Sequence, residues 1–316
     1  MRRIKNGFYF FIPLCLYTPI LPYPYTPIPS PEETISISGA FALYPMVIKW
    51  SEEFKKTHPK VKFDISAGGA GKGMSDALGG LVDLGMLSRD IFPEEIKKGA
   101  FPVAVAKDAV LPTFNSSNPN AKEILAKGMK ITVLSNIFVN GTLKNWKQAG
   151  FSTSAPIRAY TRSDASGAGE TWGKYLNVKQ EDLLGIGVFG DPGVLQAVKK
   201  DITGIGYNNI GYVYDPKTRK PITGIAVIPI DINNNGKIDA DENFYGTLDE
   251  LTKAIAEDKY PSPPARVSFL VSKNKPQKKI VTEFLKWILT DGQKFNNETG
   301  YISLPKQIID TEVKKL

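Results

Sequence analysis

Three turn-rich joints carry most of the chemistry in this sequence: SGAFALYP at 38–45, SAGGAGKG at 66–73 and TRSDASGAGE at 161–170. Each follows a β-type run and precedes a helical one. A helix N-terminus exposes unpaired N–H groups and about half a positive charge, so joints that converge there form an anion cradle without any reacting group. Glycine lets the backbone approach an ion closely. The third joint adds Arg162, a fixed cation whose fork matches an oxyanion, and the Ser166 hydroxyl. Any one joint is equally compatible with ordinary strand-to-helix packing, and Lys72 is equally readable as a solvated first-turn residue. SAGGAGKG is not a nucleotide loop, because no glycine stands five positions before Gly71-Lys72 and GxGxxG is missing from it.

A second motif is independent of the first. Residues 231–242, DINNNGKIDADE, match the calcium-loop pattern D-x-N-x-N-G-x-x-x-x-x-E in full. In that pattern Asp231, Asn233 and Asn235 turn oxygens inward, Gly236 permits the bend, Lys237 lends its carbonyl, Asp239 acts through water and Glu242 is bidentate. The alternative is a solvated Asn/Asp/Gly turn. Flanking EF-hand helices are not evident, so the expectation is a structural calcium clip and not a sensor.

Catalysis finds little to work with. The single cysteine, Cys15, sits in an N-terminal apolar stretch and the single histidine is His58, in the helix-end sequence KKTHPK. Cys–His pairs, disulfides and His-rich zinc sites are therefore excluded. A phosphatase with Ser166 as nucleophile would need a base, and the joint offers only Asp164, the natural partner of Arg162. The net charge of +8 admits nucleic acid, but the basic tracts KKTHPK and KNKPQKK hold no aromatics to stack on bases. No enzyme and no nucleic-acid partner is the expectation.

The elements that must position these joints form an α/β pattern. Short β-type runs at 35–38, 61–66, 101–106, 157–160, 185–189 and 266–272 alternate with amphipathic segments such as Val47, Trp50, Phe54 and Ile280, Phe284, Trp287, Ile288. The length, with 42% hydrophobic and 23% charged residues, suits two compact domains. Arg2, Arg3 and Lys5 precede an apolar run from Phe8 to Leu21 and then PYPYTPIPSP. This reads as an export head and a stiff spacer over 1–33; a transmembrane anchor is the weaker reading, because the run is shorter than the ~20 residues a spanning helix needs and holds Pro13 and Pro19.

The joints, in this order and spacing, resemble those of phosphate-binding proteins of phosphate ABC transporters, members of the type II periplasmic binding-protein family. The likeness runs from about Ile35 to the C-terminus and includes VDLGMLSRD at 82–90, LSNIFVNGTLKNWKQ at 134–148, AVKKDITGIGYNNIGYVYD at 197–215 and SFLVSKN at 268–274. It implies a two-lobed α/β fold with an anion cleft between the lobes. One lobe would be 34–108 with 264–316, the other 109–263, and two crossovers would form the hinge. It implies phosphate contacts at Leu43, Tyr44, Gly68, Ser88, Arg162, Ser166, Gly167 and Ala168, with Asp164 orienting Arg162. Leu43 and Ala168 stand where the family has hydroxyl residues, Gly68 where it often has serine and Ser88 where it sometimes has aspartate. Backbone donors survive those changes, and Asp90 or Asp164 is left to accept a proton from phosphate, unless Ser88 itself accepts. The resemblance further implies an exported, monomeric protein, periplasmic or anchored at the outer membrane face, that delivers inorganic phosphate to a transporter permease. Sulfate, molybdate and tungstate are the alternative ligands.

Overall fold

The computed structural model describes residues 34–316; the expected export head and spacer, 1–33, lie outside the described residues. Nine strands make one sheet: β1 (Thr34–Gly39), β2 (Lys62–Ala67), β3 (Leu84–Leu87), β4 (Ala100–Asn115), β5 (Arg158–Arg162), β6 (Ile186–Val188), β7 (Gly204–Asn209), β8 (Ile225–Val227) and β9 (Ala265–Lys273). Their order is β2-β1-β3-β9-β4-β7-β5-β6, with β8 on β4. The helices are α1 (Tyr44–Thr57), α2 (Ala70–Gly79), α3 (Pro93–Lys97), α4 (Ala121–Lys127), α5 (Ile131–Phe138), α6 (Gly167–Tyr175), α7 (Gly190–Lys200), α8 (Ile210–Val213), α9 (Leu248–Ala256), α10 (Lys279–Leu289) and α11 (Lys306–Lys315). The expected α/β alternation is present.

Local sequence explains the elements nearest the joints. In β1 the alternation sends Ile35 and Ile37 into the core, while Ser36 bonds Asp83. Met46, Val47, Trp50 and Phe54 keep helical spacing along α1 and are all fully buried. Pro45 falls in the first turn, where its missing N–H costs nothing. His58 ends the helix, stacked 3.9 Å from the Phe54 ring and half-buried, so its role is packing.

The apolar interior is divided. Ile35, Trp50, Leu84, Val103 and Phe284 belong to one core, and Ala109, Leu111, Val194, Ile210 and Leu251 to a second. A third cluster around Phe138, Trp172 and Tyr207 lies on the same side of the division as the second. Strands β4 and β9 serve both sides: Val103 to Ala106 and Leu270 pack in the first core, Ala109 and Ala265 in the second. These strands pair antiparallel with each other, and their register shifts between Ala104 and Ala106.

Candidate functional site: a buried arginine where the lobes meet

The joints meet at the division between the cores. SGAFALYP runs from β1 through a helical turn into α1, SAGGAGKG from β2 into α2, and TRSDASGAGE from β5 into α6. The Gly71 N–H donates to the Ala165 carbonyl at 3.2 Å, joining α2 to the arginine joint. A Cβ on Gly69, whose φ is +91°, would lie 2.8 Å from Asp164 Oδ2 and 2.9 Å from the Ala165 carbonyl oxygen. A Cβ on Gly167 would overlap Ser88. Glycine at these positions is what allows the two sides to touch.

Arg162 ends β5 with its side chain only 2% exposed. Asp164 grips it bidentately, accepting from Nε at 2.8 Å and from Nη2 at 2.5 Å, while Asp191 accepts from Nη1. A guanidinium has five N–H donors, and three are engaged here, which leaves two. Burial pushes the Asp164 carboxyl up, but the hydrogen bonds and charge of Arg162 outweigh it and hold the group below the usual carboxylate range. The Phe41 ring centroid lies 5.4 Å from the guanidinium carbon. Tyr207, pushed up to about 12 by burial, bonds Thr161 Oγ1 at 2.7 Å and accepts from the Arg162 amide at 3.2 Å.

Ser166 caps α6, its hydroxyl oxygen accepting from Gly169 N at 2.8 Å, and its own amide donates to Gln180 at 2.9 Å. Among the described residues the amides of Gly167 and Ala168 bond no protein acceptor, as expected for the first turn of a helix. Ser88 is buried directly against Gly167. The structure therefore brings Ser88, Arg162, Asp164, Ser166, Gly167 and Ala168 together. Among the described residues, Leu43, Tyr44, Gly68, Lys72 and Asp90 make no hydrogen bond to that group. Leu43 is fully buried in the first core, and its amide donates to the Ala40 carbonyl at 3.2 Å. Tyr44 opens α1 half-buried, and the Gly68 amide donates to the Gly39 carbonyl at 2.9 Å. Lys72 bonds Asp76 and covers Gly68, so it is a paired residue. Asp90 is exposed and pairs with Lys174 at 2.5 Å across a groove of about 1020 Å³ that Arg162 does not line.

The sequence profile of the PBP superfamily domain matches residues 26–292. The chain belongs to the PBP superfamily. Among curated relatives it is 27% identical to the phosphate-binding protein PstS of Methanocaldococcus jannaschii, over 87% of this chain and 84% of that one. It is also 27% identical to the PstS of Pseudomonas aeruginosa, over 89% and 86%. A solved structure from Clostridium perfringens, described as the substrate-binding protein of a phosphate ABC transporter with bound phosphate, superposes with a TM-score of 0.72. It shares 24% identity, and the match covers 86% of this chain and 100% of that one.

In this PBP superfamily chain, a fourth joint escaped the sequence reading. GIGVFGDPG at 185–193 carries β6 into α7 and supplies Asp191, whose Oδ1 accepts from Asn209 Nδ2 at 2.6 Å and Asn209 N at 3.2 Å. Phe41, already in the first joint, was passed over for its neighbours. Its ring meets Phe189 edge-on at 5.8 Å and its carbonyl accepts from Tyr212 at 3.1 Å. A glycine-flanked acid at the start of a helix was the available signal for Asp191.

The loop 231–242 closes on itself. Asp231 accepts from Asn235 N at 3.1 Å and Gly236 N at 2.8 Å, and Glu242 from Ile232 N and Asn233 N, both at 2.9 Å. Gly236 adopts φ +87° at the bend. Asp239 turns to Lys237 and to the amides of Asn233 and Asn235, which hold its carboxyl down at about 2. Among the described residues no three His, Cys, Asp or Glu side chains converge as a metal site, and no EF-hand helix pair flanks the loop.

Proposed function

We propose that this chain captures inorganic phosphate in the cleft between its two lobes and delivers it to an ABC transporter outside the cytoplasm. The observation that carries the reading is the state of Arg162. It is desolvated and oriented by two carboxylates, yet keeps two of five N–H donors, in the same joint that opens into the unpaired first-turn amides of α6. Anions bind where fixed donors replace water, and a helix N-terminus next to a forked cation is such a place. The phosphate-binding names of the relatives favour phosphate among the oxyanions. Sulfate, molybdate and tungstate are the competing ligands.

The lobes of this reading are 34–108 with 264–316, and 109–263, hinged where β4 and β9 cross. Ligand closes the cleft because the closed form offers it more contacts. Delivery of the ion requires a permease partner, an exported monomer, and either release or anchoring through residues 1–33. Binding without turnover is favoured by the capping duty of Ser166: among the described residues no carboxylate or imidazole bonds its hydroxyl. Equilibrium dialysis of radiolabelled phosphate against ligand-stripped protein tests the reading. Saturable one-to-one uptake is expected, and retention no greater than for Arg162→Ala would refute it.

Calcium at 231–242 is a second proposal. Asp231, Asn233, Asn235, Asp239, Glu242 and the Lys237 carbonyl supply the oxygens, and the positive φ values of Asn234 and Gly236 give the loop its bend. Binding requires Asp231 and Glu242 to exchange their backbone donors for the ion. The role is a structural clip, separate from the anion site.

A further inference from the structure

We infer that Arg266 is a positioning residue for the anion site, acting from the hinge; the inference rests on the anion-binding reading above. Arg266 lies near the start of β9, one of the two strands that pass between the cores, and is 9% exposed. Its five N–H donors are all engaged. Nε and Nη2 hold Asp108 of β4 at 2.9 and 3.0 Å, Nη1 bonds the Gly167 carbonyl and Thr171 Oγ1, the latter at 2.8 Å, and Nη2 also bonds Asn209 Oδ1.

Each engagement has a separate consequence. The Asp108 pair ties the two crossover strands to each other, reinforced by Ser268 Oγ on Asp108 at 3.2 Å. The Gly167 and Thr171 bonds grip α6 one turn apart, which fixes the rotation that aims the Gly167 and Ala168 amides. Asn209 passes the connection on: its side-chain amide bonds Asp191 at 2.6 Å, and Asp191 bonds Arg162. A continuous chain of buried hydrogen bonds thus runs from the hinge to both halves of the site, the helix amides and the arginine. Arg162 keeps donors for a ligand. Arg266 keeps none, so it touches no ligand and acts through α6 and Asp191.

A merely structural ion pair makes a different forecast, because a buried pair replaced on both sides by apolar residues often regains its stability. The test is phosphate affinity by titration calorimetry alongside thermal unfolding for wild type, Arg266→Met, Arg266→Met with Asp108→Leu, and Arg266→Lys. The double variant is expected to recover the melting temperature lost by Arg266→Met, yet to bind phosphate at least tenfold more weakly than wild type. Arg266→Lys keeps the charge beside Asp108 but cannot span to α6 as well, so it should fold and show the same weakening. Affinity that returns with stability in the double variant, or wild-type affinity in Arg266→Lys, overturns the positioning role. Wild-type protein that binds no phosphate overturns instead the reading on which the role rests.

Discussion

Arg162 and Asp191 form an ion pair from which solvent is almost wholly excluded, their side chains being 2% and 1% exposed. Asp164, 9% exposed, grips the same guanidinium from another side. One positive charge between two negative ones leaves a cluster of net −1, stable only because every partner is also hydrogen-bonded.

Arg162→Ala therefore removes more than a ligand contact. It strands two buried carboxylates, at a cost of about 3–5 kcal/mol for a broken buried pair. Chemical denaturation should show that loss together with abolished phosphate binding in dialysis. Unchanged stability would mean that the carboxylates find other partners.

Gly167→Ala probes closure. Gly167 opens α6 and is not among the positive-φ glycines, so alanine suits the backbone there. The added methyl, however, would overlap Ser88, which the proposed lobe division places on the other side of the cleft. The expected outcome is a well-folded protein with at least tenfold weaker phosphate binding, and without the fall in radius of gyration that phosphate should cause in wild type. Normal ligand-induced compaction in solution scattering would place the lobes differently.

Acid titrates the arginine cluster. The Asp164 pKa is lowered in the folded state from an ordinary 3.8, so its contribution is complete above that value and is lost as pH falls through the folded-state value. Asp164→Asn should be less stable than wild type at neutral pH, and the gap should narrow as the pH falls through and below 3.8. A gap that stays constant across that window would show that Asp164 contributes shape and not charge.

Much of this was legible in the sequence, and the gaps have physical causes. The runs at 35–38, 101–106 and 266–272 fall within β1, β4 and β9, and the run at 61–66 overlaps β2 from Lys62, because alternating or continuous apolar residues bury whichever face is covered. Strand β7, GIGYNN, was invisible: glycine and asparagine are poor strand formers, and only its wholly buried central position makes it one. Arg162 with Asp164 could be read because they stand two residues apart. Asp191 is 29 residues from Arg162 and Arg266 is 158 from Asp108, so those pairs exist only once β5, β6 and the crossovers are assembled.

If the loop takes calcium as proposed, the ion should raise the melting temperature by the equivalent of about 2.7 kcal/mol at a hundredfold excess over Kd, since it would bind the folded loop and not the unfolded chain. EGTA should reverse the shift. Asp231→Ala with Glu242→Ala should abolish the response and leave phosphate affinity unchanged. Loss of phosphate binding in that variant, while folded and at saturating calcium, would refute a purely structural clip.

The most direct test is competitive titration calorimetry of ligand-stripped protein with phosphate and sulfate at neutral pH. Phosphate carries protons that it can donate to a carboxylate such as Asp164, whereas sulfate brings none and faces a cluster of net −1. The expected result is one phosphate per chain with at least tenfold preference over sulfate, about 1.4 kcal/mol. Equal affinity for the two ions, or heat from neither, would contradict phosphate capture at the Arg162 cleft.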